Sequence, residues 1–313
     1  MGDASDAVTK NVVNTTLDIM FSMKKTLSNS WQLKTTLTLV AVLVSACSSD
    51  GESIALVDEE DMENGTPTAT SSCDEIAMKF VTRGSANADL ADPAVSASCV
   101  DDNVVVVSNQ IPDFPYIETT PGNPREFELE HSFPSTPLLS DTLTDVPAIG
   151  ALGMAVNGIP IYGATEGTGG DVLSMQNFVE CGGHNGPGGY HYHTFSVVGS
   201  DYCLFSEADV SAGPVLFGYA FDGYPIYSGN TLYTSSWFLS DATLFATDTF
   251  SAHTYSEGSG DLDQCNGRTD ENGNYAYYTT DGFPYTLGCY RGVVELEEPG
   301  GGGGRPEPDS ASL

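Results

Sequence analysis

Three of the five histidines in this chain fall within ten residues, in Cys181-Gly-Gly-His184-Asn-Gly-Pro-Gly-Gly-Tyr190-His191-Tyr192-His193. The other two, His131 and His253, stand far away in sequence. Imidazole is the commonest side-chain metal ligand and also carries protons near neutral pH. Three imidazoles suit zinc or copper, because neutral nitrogen donors need no strong anion beside them. Copper is set slightly ahead, since it binds nitrogen more tightly at equal availability. Glu180, Asp201, His131 or a water are the candidates for a fourth position, and Asp222 for an outer partner that holds an imidazole. Cys181 beside the histidines is a competing ligand.

A strand must position these groups. Tyr190 to His193 alternates, and successive side chains on a strand point to opposite faces. His191 and His193 then share one face, with Tyr190 and Tyr192 on the other. The Gly-Pro-Gly-Gly turn can fold His184 back toward the pair. An internal repeat tests this assignment. Gly153-x-Ala155-x-Asn157-Gly158-x-Pro160-Ile161-Tyr162 matches Gly218-x-Ala220-x-Asp222-Gly223-x-Pro225-Ile226-Tyr227. Cys181-Gly-Gly-His184 then corresponds to Cys265-Asn-Gly-Arg268, and Tyr190-His191-Tyr192-His193 to Tyr275-Ala276-Tyr277-Tyr278. Both copies keep the tyrosines. All three imidazoles vanish together from the second, so they are read as one unit. Asn157-Gly158 and Asp222-Gly223 are read as turns, because glycine supplies positive φ.

Several of these segments, in order, resemble the YHYH domain family. Besides the histidine cluster, Ser108-Asn-Gln-Ile-Pro-Asp113 is similar to its opening segment. The two Gly-x-Pro-Ile-Tyr motifs are similar to its repeats, and Asp263-Gln-Cys265-Asn-Gly-Arg268 and Pro284-Tyr285-Thr-Leu-Gly288-Cys289 to its closing part. The similarity spans roughly residues 100–292. It implies an extracytoplasmic protein and a metal site. Phe114 stands where the family often carries a histidine, which speaks against an opening-segment ligand.

Short apolar or aromatic stretches alternate with Gly, Pro, Asn and Asp over most of the chain. This predicts a mainly β, antiparallel, disulfide-stabilised domain built from two related halves, about 150–210 and 215–292. Val104–Val107 reads as its first buried strand. Residues 73–99 read as a small disulfide-closed segment, 48–72 as an acidic linker, and 293–313 as a disordered tail. Asp270-Glu-Asn272-Gly273-Asn274 does not fit the twelve-residue calcium loop and reads as a hairpin turn.

The chain has 313 residues, with 43 acidic against 10 basic and a formal charge of −33. Nucleic acid is excluded as a partner, since its binding rests on Lys and Arg meeting phosphates. No lysine follows Lys79, which excludes a Schiff base in the main domain. Neither a nucleophile elbow nor a phosphate-binding Gly-Lys-Ser/Thr sequence is present; Gly167-Thr-Gly169-Gly170 lacks the lysine.

Lys24, Lys25 and Lys34, the short apolar run Leu37–Val44 and Ser45-Ala46-Cys47 make residues 1–47 a secretory leader ending in a lipobox-like Cys47. The expectation is an exported protein, lipid-anchored to the outer membrane and facing periplasm or cell surface, touching membrane only through that anchor. The six remaining cysteines, Cys73, Cys99, Cys181, Cys203, Cys265 and Cys289, read as disulfides, with fifteen formal pairings. The economical pairing joins sequence neighbours, each loop worth ~3 kcal/mol. Three functions stay open: metal binding at the envelope without turnover, a metal-dependent hydrolase or oxidoreductase, and a structural or adhesive surface module with no metal. The last predicts a solvent-flat motif with diverging imidazoles.

Overall fold

The computed structural model describes residues 72–174, 181–197 and 203–295. The leader with Cys47, nearly all of the linker and the tail beyond residue 295 lie outside them, as do Glu180 and Asp201.

A short helix α1 (Ser72–Ala77) carries Asp74 and Glu75 in its first turn, where acidic charge suits the helix dipole. Strand β1 (Val95–Val100) follows and pairs antiparallel with β2 (Asn103–Ser108). Asp101 and Asp102 make the turn between them, both at positive φ, as a two-residue hairpin requires. The Cys73–Cys99 bridge ties α1 to β1. The boundary expected at residue 99 therefore falls inside a hairpin: the small segment shares a sheet with Val104–Val107, which is second in order but the first strand with buried side chains. Val-Ser-Ala-Ser-Cys-Val in β1 has too little apolar contrast to read as a strand.

Strand β3 (Leu129–Pro134) completes that three-stranded sheet beside β2. β4 (Leu139–Asp145) leaves it. β5 (Ala151–Ala155) and β6 (Pro160–Tyr162) form a hairpin around Gly158 at φ +81. β7 (Gly183–Gly186) and β8 (Gly189–Tyr192) form the next. In the second half β9 (Leu216–Ala220) and β10 (Pro225–Tyr227) turn at Gly223, φ +86. β11 (Trp237–Leu239) and β12 (His253–Tyr255) are an inserted hairpin, and β13 (Gly267–Thr269) and β14 (Tyr275–Tyr278) follow. The last hairpin turns at Asn272-Gly273, where Asp270 accepts the Asn272 and Asn274 backbone N–H groups. β15 (Cys289–Gly292) pairs with β4.

One eight-stranded sheet runs β13-β14-β10-β9-β5-β6-β8-β7. Its order is a palindrome about the antiparallel β5–β9 pair, with Met154 opposite Tyr219, Gly153 opposite Ala220 and Ala155 opposite Gly218. Ile161 pairs with Tyr192, and Ile226 with Tyr277, at matching places. Those two contacts, β6–β8 and β10–β14, are parallel, a departure from an all-antiparallel sheet; the connections 163–182 and 228–266 provide the crossover length that parallel pairing needs. One face of the sheet packs Met154 and Tyr219 against Val104, Val106 and Phe133 of the small sheet and against Phe80, just past α1. The larger core gathers Tyr190, Tyr192, Phe217, Ile226, Tyr275, Tyr277 and Tyr290.

Cys181–Cys203 and Cys265–Cys289 complete the neighbour pairing. With its sulfur in a bridge, Cys181 is no thiolate ligand, which removes that competitor.

Candidate metal centre

Gly186 pairs with Gly189 across a two-residue turn, and this sets the register of the β7–β8 hairpin. Gly189 takes φ +98, open to glycine at no steric cost. At Gly186 a Cβ would stand 2.8 Å from His191 Cε1, so the turn's glycines also make room for imidazole. In this register His184 lies directly opposite His191. His193 follows two residues later on the same face, its backbone N–H donating to Gly182 O at 2.9 Å. Tyr190 and Tyr192 point into the core, as the alternation predicts, against Phe114 and Phe217.

The three rings converge. His184 Nε2 is 3.1 Å from His191 Nε2 and 3.2 Å from His193 Nε2. Donors of a tetrahedral site, each ~2.0–2.1 Å from the ion, stand roughly 3.3–3.4 Å apart. All three residues are buried, at 5%, 6% and 1% exposure. Tyr162 covers them, stacked on His191 at 4.1 Å and edge-on to His193 at 5.8 Å.

The outer ring atoms fix the tautomers. His191 Nδ1–H donates to Gly189 O at 2.9 Å, and His193 Nδ1–H donates to Gly163 O at 2.6 Å. A carbonyl only accepts, so in the neutral rings both Nε2 atoms are lone-pair donors. Both face His184 Nε2, which has at most one proton to offer two acceptors. A cation satisfies all three at once, and backbone carbonyls holding Nδ1–H are the usual outer partners of ligating histidines.

The rings are also kept neutral. Burial, then the neighbouring His184, push His191 down to about 4. Burial, then His191, hold His193 well below the ordinary value. Burial lowers His184, against an opposing pull from Glu166, whose Oε1 lies 3.5 Å from His184 Nε2.

Among the described residues only His184, His191 and His193 form a group with ligand spacing, within 4.8 Å of one another. His131 is not brought to them; it sits on β3 with its ring against Phe221. Asp222 is not either. It is buried in the second half, accepting the Tyr277 hydroxyl at 2.5 Å and Gly292 N–H at 2.8 Å. Its carboxylate locks a tyrosine of the repeat instead. Glu180 and Asp201 fall outside the described residues.

Sequence reasoning missed Glu166 and Tyr162 as neighbours of the rings. Tyr162 was read only as part of the repeat. Glu166 immediately precedes Gly167-Thr-Gly169-Gly170, a run whose glycines point by residue type toward phosphate and not toward a metal. An acidic residue four places past the motif end, absent from the second copy, is the available signal.

A family model described as YHYH protein matches residues 130–292, a little over half of the chain. No curated protein and no solved structure matches it.

Proposed function

We propose that this chain, which belongs to the YHYH protein family, binds one transition-metal ion, copper or zinc, through His184, His191 and His193 at the cell envelope, without turnover. The observation that carries the reading is the convergence of three buried Nε2 atoms with two tautomers fixed from outside. A surface module with incidental histidines expects exposed, diverging rings, and the geometry runs against it. The net charge of −33 adds a field that gathers cations. Anchorage by Cys47 to the outer membrane rests on the lipobox-like leader. Nucleic acid is no partner on this reading.

The Glu166 carboxylate beside His184 favours a second reading, a metal-dependent hydrolase or oxidoreductase. It would require an open coordination position with a water that Glu166 could reach.

Metal analysis of the mature protein, secreted with its disulfides formed and purified without a histidine tag, tests the first reading. Near-stoichiometric copper or zinc, lost in a folded His191→Ala/His193→Ala variant, supports it. No metal in either after reconstitution sinks it.

A further inference from the structure

We propose that Glu166 is the fourth protein donor of this centre, an anionic oxygen that makes it a three-imidazole, one-carboxylate site for a divalent ion. The proposal rests on the histidine reading above and deepens it.

Glu166 Oε1 is buried and accepts no hydrogen bond among the described residues; it stands 3.5 Å from His184 Nε2 but outside the 4.8 Å group of the three imidazoles, so on this proposal the side chain turns inward when the ion binds. A carboxylate oxygen so placed is costly unless a cation or a donor meets it. Asp171, five residues on, shows the ordinary case. It is fully buried, more so than Glu166, and accepts from Leu173 N–H at 2.9 Å, the Thr249 hydroxyl at 2.6 Å and the Tyr285 hydroxyl at 3.0 Å. Asp171 is satisfied by the fold; Glu166 is held for something else.

Its backbone is fixed. Glu166 N–H donates to Gly170 O at 2.9 Å, and Gly169 N–H to Glu166 O at 2.7 Å. Thr249 N–H donates to Gly169 O, and a Cβ at Gly170 would strike the Ala246 backbone, so the turn is clamped against 246–249. The same segment supplies Gly163 O, the acceptor that orients His193. One loop thus carries both the carboxylate and an outer support of the imidazoles.

The repeat points the same way. Counting from Tyr162 and Tyr227, the residue matching Glu166 is Thr231. In that half Arg268 stands at the place of His184, its guanidinium 4.7 Å from the Tyr233 ring centre. The carboxylate and the three imidazoles are lost together.

Three neutral imidazoles leave a divalent ion its full charge, and one carboxylate halves the excess. The oxygen also tilts the site toward divalent ions and away from Cu(I), which favours softer donors.

The test is Co²⁺ titration of the metal-stripped full chain, read by the visible ligand-field spectrum, with Zn²⁺ competition for affinity. Glu166→Gln keeps shape and removes charge; Glu166→Ala removes the oxygen. Both are expected to weaken binding by at least ~10–100-fold, and Glu166→Ala to shift the spectrum. Affinity within twofold of wild type overturns the proposal and leaves the histidine site standing. Weakened affinity with an unchanged spectrum in both variants overturns it too, making Glu166 a partner of bound water or of His184. A wild-type chain that takes up no Co²⁺ removes both readings. Thermal unfolding of the metal-free variants separates these outcomes from misfolding, and Glu166→Asp, keeping a carboxylate, should retain intermediate affinity.

Discussion

In the first half His184 faces His191 across β7 and β8; in the second, Arg268 faces Ala276 across β13 and β14. The backbone register is the same, and so is the tyrosine face: Tyr190 and Tyr192, like Tyr275 and Tyr277, are buried in the core. The hairpin therefore folds and packs without imidazole. What differs is how charge is handled. The second half keeps a permanent cation, half-buried over Tyr233, that brings its own charge to the sheet edge. The first half buries three neutral rings around a shared point and leaves a carboxylate beside them. A fold that tolerates either arrangement did not need the costlier one for stability.

The largest expected effect breaks this comparison directly. His191→Ala/His193→Ala should take bound metal from about one ion per chain to none, since His184, even with Glu166 beside it, is too few donors to hold an ion. Arg268→Ala/Tyr278→Ala, at the mirrored places, should leave metal content unchanged. Elemental analysis of both folded proteins decides it. Loss of metal in the second variant would mean that the halves are not independent.

Grafting sharpens it. Arg268→His/Ala276→His/Tyr278→His should create a second site, at least ~10-fold weaker than the first. Thr231, where Glu166 would match, offers no anion, and Tyr233 crowds the edge. Two resolved steps in a Co²⁺ titration are expected. A single step of one ion would show that the 163–171 loop, more than the hairpin, builds the centre.

The tyrosine anchors differ more mildly. Asp222 accepts from Tyr277 in the second half, while Asn157 Nδ2 in the first donates to Tyr192 Oη at 3.2 Å and to Asp113 at 2.9 Å. Tyr277→Phe takes a donor from a buried carboxylate and should cost about 1–3 kcal/mol. Tyr192→Phe takes only an acceptor from an amide still bonded to Asp113, and should cost about 1 kcal/mol or less. Denaturant midpoints would measure both. Equal costs would mean that Asp222 carries its own proton.

The sequence made the halves and the triad legible because both rest on local rules. Alternation on a strand put the histidines on one face, and aligned glycine-proline motifs fixed the repeat. Register then did the rest: equivalent residues of the two halves pair alike, Ile161 with Tyr192 and Ile226 with Tyr277. Contacts set by crossover connections stayed hidden. Glu166 reaches His184 because a clamped turn crosses the sheet edge, which spacing cannot encode. Asp222 and His131 drew attention by residue type, and packing sent them elsewhere. β1 escaped notice because small residues alternate without contrast.

The smallest expected effect is a near absence of change. A solvated histidine takes its proton near pH 6.5, so a site of ordinary imidazoles loses metal affinity as pH falls through that value. Here burial and mutual repulsion hold the rings neutral to lower pH, His191 to about 4. Metal affinity should stay within a fewfold between pH 7 and about 5.5, and fall only as pH approaches the depressed values. The metal-free fold should show the complementary trend. Below about 6.5 the unfolded chain binds protons at these positions and the folded chain does not, so stability rises with pH across the interval from about 4 to about 6.5. His191→Ala/His193→Ala should flatten that slope, because the mirrored positions in the second half carry no histidine to supply it. Urea midpoints at several pH values measure the difference. Parallel slopes in the two proteins would mean that the rings titrate as if solvated, and the contrast between a neutral buried cluster and a half-buried cation would fail.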